Sequence, residues 1–146
     1  MQNEASAVLG EPILEAVALL KRGAVKNMRM PIGGLLGTLV SKLRKDTTPE
    51  VAAPNGYAGA GYLVLTDTRL ALFAVDEGRF KQTLGDMLAE FLPGQIDRFE
   101  FGKAAVGMHT LDLVSVTGDR WAFEGSAVIR KKLNRMAEAS NALVVN

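Results

Sequence analysis

From Gly61 onward the apolar and polar positions fall into short runs of strand period. Residues 62–66 and 69–75 are rich in β-formers and meet at Thr66-Asp67-Thr68, which predicts a tight hairpin. Asp76-Glu77-Gly78 is the next turn, and Met87–Leu92 is a short apolar run closed by Pro93-Gly94. In Ile96–Lys103, Phe99 and Phe101 alternate with Arg98 and Glu100, which predicts a half-buried strand. Thr110–Val116 and Trp121–Glu124 follow, joined by a turn at Gly118-Asp119. The first two runs are apolar on both faces. Leu63 and Leu65 oppose Tyr62 and Val64, while Leu70 and Leu72 oppose Ala71 and Phe73. Both faces must then be covered, and the expected outer cover is the segment 30–45, with a second subunit as the alternative.

The period changes at the end of the chain. Ile129, Leu133, Met136, Ser140 and Leu143 recur at helical spacing over residues 126–143, and Ser126 is placed to cap an amphipathic helix. Upstream the pattern is weaker. Residues 1–10 read as a loose terminus. Residues 11–21 fit a helix through Ile13, Val17 and Leu20, and equally a strand through Leu14, Ala16, Ala18 and Leu20. In residues 22–59, Leu35, Leu36, Leu39, Val40 and Leu43 share one helical face. Gly33, Gly34 and Gly37 weaken that helix by roughly 1 kcal/mol each.

Several antiparallel strands followed by one C-terminal helix, with Thr66-Asp67-Thr68-Arg69 between two apolar runs and Leu9-Gly10-Glu11-Pro12-Ile13-Leu14 ahead of the first strand, resemble the pleckstrin-homology-like superfamily, in particular bacterial PH-like and GRAM-like domains. The resemblance covers about residues 9–143. It implies a mainly β fold: a barrel of about seven antiparallel strands, one C-terminal amphipathic helix, and a long, partly helical insertion between the first two strands. It also implies a strand, not a helix, for residues 12–20, and it places headgroup binding in the connection between the first two strands. There Lys42-Leu43-Arg44 resembles the family's basic-x-basic element. The resemblance implies a non-enzymatic binding or scaffolding role.

Charge sharpens this expectation. The net charge of +1 argues against a chain that is basic throughout and binds nucleic acid. Yet residues 16–45 carry seven bases and no acid, whereas residues 46–146 carry ten bases and thirteen acids. The candidate anion- or lipid-binding residues are therefore Lys21, Arg22, Lys26, Arg29, Lys42, Arg44 and Lys45, joined by Arg130, Lys131 and Lys132 at the start of the last helix. The expected partner is an anionic membrane surface or an acidic protein, in the cytoplasm or at the inner face of the membrane. The alternative is a homo-oligomeric assembly module that uses the apolar outer sheet face.

Other chemistries find little footing. At 146 residues one domain is expected, with a core that needs no staple. There is no cysteine and a single histidine, so thiolate chemistry and His-rich metal sites are excluded within one chain. No cofactor, metal or catalytic residue is expected. On a strand, His109 and Asp112 point to opposite faces, and His109 reads as a surface or loop-end residue. Tyr62, Phe73, Phe99, Phe101, Trp121 and Phe123 lack interleaved bases and read as core and sheet-face residues. Gly33-x-x-x-Gly37 reads as a close-packing or loop element.

Overall fold

A computed structural model describes residues 1–23, 59–77 and 81–146. The elements are α1 (Gln2–Leu9), β1 (Glu15–Lys21), β2 (Gly61–Leu65), β3 (Leu70–Glu77), β4 (Gln82–Phe91), β5 (Ile96–Lys103), β6 (Met108–Ser115), β7 (Arg120–Ser126), α2 (Arg130–Ala139) and β8 (Leu143–Val145). The fold is mainly β. The eight strands form one sheet in the order β4-β3-β2-β1-β7-β6-β5-β8. All pairings are antiparallel except β5 with β8.

β1 is the joint of the sheet. Residues 15–19 pair with β2, and Leu20 and Lys21 pair with β7. One core takes side chains from both ends of the strand order, including Phe91 of β4 and Ile96, Phe99 and Phe101 of β5. The sheet therefore wraps around that core, although its edges β4 and β8 do not pair with each other. Leu133, Met136 and Ala137 of α2 are fully buried in the same core. The sequence stripe of that helix is thus its core face, because positions three and four apart stack on one side.

Local chemistry accounts for most boundaries. The β2–β3 hairpin closes at Thr66-Asp67-Thr68, where the Thr66 amide donates to the Arg69 carbonyl at 2.9 Å. Gly118 turns β6 into β7 with φ of 92°, a left-handed conformation that favours glycine. Ser126 caps the 3₁₀ turn before α2, accepting from the Val128 amide at 3.2 Å.

Three expectations are corrected, while the outer cover expected from segment 30–45 falls outside the described residues. Residues 1–10 are not a loose terminus: residues 2–9 form α1, closed by Gly10 in the left-handed conformation (φ 68°). The outer face of β2 and β3 is covered by this helix, because Ala5 and Leu9 pack with Tyr62, Val64, Ala71, Phe73 and Val75 in a second apolar cluster. The segment 30–45 lies outside the described residues. The C-terminal helix ends at Ala139, and Leu143 belongs to an eighth strand, where it is 65% exposed. A positive φ at Asn141 takes the chain out of the helix and alongside β5. Finally, β4 is longer than its apolar run and begins at Gln82. It is an edge strand with two register shifts against β3, which blurs the period that sequence reading relies on.

For residues 12–20 the strand reading holds over β1. The core-facing positions there are Val17 and Leu19 rather than the alternating even set.

Candidate functional site

Three polar clusters stand out. The first joins the two motifs that carry the family resemblance. Glu11 accepts from the Thr66 hydroxyl at 2.9 Å, from the Thr68 hydroxyl at 2.5 Å and from Arg69 Nε at 3.0 Å. Arg69 also donates to the Leu9 carbonyl at 2.7 Å and to Glu90 at 2.7 Å. The two hydroxyls, and then Arg69, hold the Glu11 carboxyl below the usual carboxylate range. Glu90 and Glu11 in turn hold Arg69 above its ordinary value. This clasp ties the end of α1 to the β2–β3 hairpin and to β4. Its groups are mutually satisfied, so its role is structural. A shallow cavity of about 120 Å³ opens beside it, lined in part by Leu14, Thr66, Phe91, Pro93 and Ser140.

The second cluster lies on the outer face of β5, β6 and β7. Asp112 pairs with Arg22 through one oxygen and with Arg120 through the other, the latter at 2.5 Å. Arg120 reaches on to Glu100 at 2.7 Å, and Arg98 contacts Glu100 and Asp97. Arg22 also donates to the carbonyls of Phe123 at 3.1 Å and Leu111 at 3.3 Å. Arg22 is thus anchored within the fold, and the Gly23 amide beside it donates to Glu124 at 2.7 Å. Lys21 ends β1, opposite Phe123.

The third cluster surrounds the start of α2. The Arg130 guanidinium carbon lies 3.4 Å from the centroid of the Phe101 ring. Phe101 meets His109 edge-on, with centroids 5.3 Å apart. His109 is only 7% exposed, and among the described residues neither ring nitrogen has a hydrogen-bond partner. The expectation of a surface histidine is therefore corrected: position 109 belongs to the inward set of β6 with Leu111 and Leu113. Burial, and then the Arg130 charge, hold the imidazole below its ordinary range, while the nearby backbone of Thr110 and Ser126 acts weakly the other way. Asp112 points to the opposite face, so no histidine–carboxylate pair forms. Lys131 is exposed, and Lys132 lies 3.9 Å from Glu15, which Arg135 also engages at 3.1 Å.

The structure does not join Arg22 with Arg130–Lys132, because β6 places Asp112 and His109 on opposite faces. Lys26, Arg29, Lys42, Arg44 and Lys45 lie outside the described residues, as does Gly33-x-x-x-Gly37. Sequence reading missed Phe101 and His109 as neighbours of Arg130. The strand periods of β5 and β6 carry that signal, but only their register places Lys103 opposite His109. Among the described residues no group of three His, Asp or Glu is arranged to hold a metal, and no helix is long and apolar enough to cross a membrane. Tyr62 and Phe73 lie in the outer cluster, and Phe99, Phe101, Trp121 and Phe123 in the main core.

Comparison with known protein families and with curated proteins finds no match.

Proposed function

We propose that the chain is a non-enzymatic binding module of the pleckstrin-homology-like type that docks on an anionic lipid surface through its basic residues. The strand order β4-β3-β2-β1-β7-β6-β5 with a helix packed into the core after β7 is the observation that carries this reading. The resemblance implies several antiparallel strands followed by one C-terminal helix, and a sheet that wraps its core supports that reading. Lys21 ends β1 and Arg22 follows it, and the basic run through Lys45 begins there. An acidic protein surface is the competing partner. Assembly through the outer sheet face is disfavoured, because α1 already occupies that face.

Vesicle flotation tests the proposal. The full chain should float with phosphatidylserine vesicles and not with phosphatidylcholine vesicles. Each base near an anionic surface contributes ~1 kcal/mol, so replacing Lys42, Arg44 and Lys45 together by Glu should weaken partitioning by about 100-fold or more. Equal absence from both kinds of vesicle overturns the lipid reading and leaves the acidic protein.

A further inference from the structure

Among the described residues, the two ring nitrogens of His109 are the only buried side-chain polar atoms without a hydrogen-bond partner. A neutral imidazole tolerates such a place. An imidazolium does not, because a charge withdrawn from water with nothing to pair it costs far more than a neutral polar group.

The cover over this ring is thin. Gly125, opposite His109 on β7, has no side chain. A methyl there would lie 3.0 Å from Ile129 Cδ1 and 3.2 Å from His109 Cε1, so the isoleucine and the imidazole meet over that glycine. Arg130 follows, stacked on the Phe101 ring that the imidazole meets edge-on. Ala127 and Val128 are exposed, and Ile129 and Arg130 are only half-buried. The amides of this stretch are held by the Gly107 carbonyl (from Ala127, 2.8 Å), the Ser126 hydroxyl (from Val128, 3.2 Å) and the Ala127 carbonyl (from Arg130). The rest of α2 is fastened separately, by Leu133, Met136 and Ala137 in the core and by Arg135 on Glu15.

The charges around the ring oppose a second proton. On α2 stands Arg130, whose side-chain partners are the neutral amides of Asn134 and Asn146. On β5, Lys103 lies directly across from His109. On β7, Glu124 projects to the other face and accepts from the Gly23 amide, and on β6 Asp112 also lies on the other face. The turn 127–129 carries no charge. Among the described residues no carboxylate side chain faces the ring from these elements, and burial and then Arg130 hold its pKa below the ordinary value.

We propose that residues 127–130 are a proton-operated cover: protonation of His109 lifts this stretch off the sheet while the remainder of α2 stays docked. Opening lets the imidazolium reach water, bares Phe101 and releases Arg130 from it. The device concerns the fold itself and does not rest on the docking proposal. The open form binds the proton more tightly than the closed one. Opening is therefore rarest above the ordinary histidine value of 6.5. Below it, opening grows by up to about tenfold per pH unit, until the ring protonates in the closed form as well.

Amide hydrogen exchange on the full chain, corrected for the intrinsic pH dependence of exchange, tests the cover between about pH 7.5 and 5, a window above the carboxylate range. Protection of the Ala127, Val128 and Arg130 amides should fall about tenfold on acidification, while residues 133–137 keep theirs. His109→Gln, which cannot titrate, should abolish the fall. Arg130→Gln, a change at a half-buried position, should shrink it and raise the His109 midpoint, followed through the Cε1–H NMR signal of the single histidine. If His109→Gln does not fold, the parent and Arg130→Gln carry the test. Protection at 127–130 that is independent of pH overturns the cover. So does a fall shared equally by residues 133–137, which marks general acid unfolding, and so does a His109 midpoint at or above 6.5.

Discussion

At the scale of single residues, one carboxylate holds two arginines. Asp112 is only 16% exposed in its side chain and pairs with both Arg22 and Arg120. Asp112→Asn keeps the shape and removes the charge. Arg120 retains Glu100, whereas among the described residues Arg22 is left with the carbonyls of Phe123 and Leu111. The expected loss is about 1–3 kcal/mol, read as a lower urea midpoint with an unchanged slope. Glu11 behaves differently because it titrates. Its folded pKa is lowered, so the stability it contributes is present in full above the unfolded value of 4.5. That stability drains away as pH falls through the folded value. Thermal melts should show Glu11→Gln lowering the midpoint at neutral pH, with the gap to the parent closing on acidification below about pH 4. A gap that stays constant with pH would remove Glu11 from the acid response.

At the scale of elements, α1 and α2 cover opposite faces of the sheet. Leu9 and Ala5 of α1 bury the outer face of β2 and β3. Leu9→Asp places a charge in that contact, and the expected outcome is a detached helix, faster amide exchange over residues 2–9 and a new exposed apolar face. Light scattering then bears on the assembly alternative: the parent should be monomeric, and Leu9→Asp should associate. A parent that already forms a discrete oligomer would reinstate assembly as a function. In the main core, Phe99 is fully buried, and Phe99→Ala should cost about 3–5 kcal/mol, a large part of the stability of a domain this size.

These elements were unequally legible in the sequence. The β5 strand was readable to the residue, because Phe99 and Phe101 face a core while Arg98 and Glu100 face water, and one-sided burial imposes a period of two. The α2 stripe was readable for the same reason at period 3.6, except that Leu143 fits the helical repeat equally well. Only the left-handed turn at Asn141 removes it from the helix. The α1 helix was not legible: its buried positions are just Ala5 and Leu9, too few to make a periodic signal. β4 was legible only at its apolar end, since an edge strand with register shifts presents an irregular pattern.

At the scale of the whole molecule, the two motifs of the family resemblance are one interaction. Glu11 and the segment Thr66–Arg69 are far apart in sequence and bonded in the structure, which explains why these residue types occur together: a carboxylate needs the hydroxyls and guanidinium that surround it. The candidate binding residues divide in the same way. Lys21 ends β1 and Arg22 after it is anchored on the outer face, while Arg130 stands over Phe101 by the inner one. By itself the sequence determined what local chemistry dictates: a β meander, its turns, a terminal amphipathic helix and a chain whose bases are concentrated in one stretch. The tertiary structure alone decided which groups are neighbours. Strand register and the wrapping of the sheet bring Phe101, His109 and Arg130 together, bury the only histidine and send the two arginine clusters to opposite faces. Contacts between strands distant in sequence depend on register and packing, and those are properties of the assembled sheet.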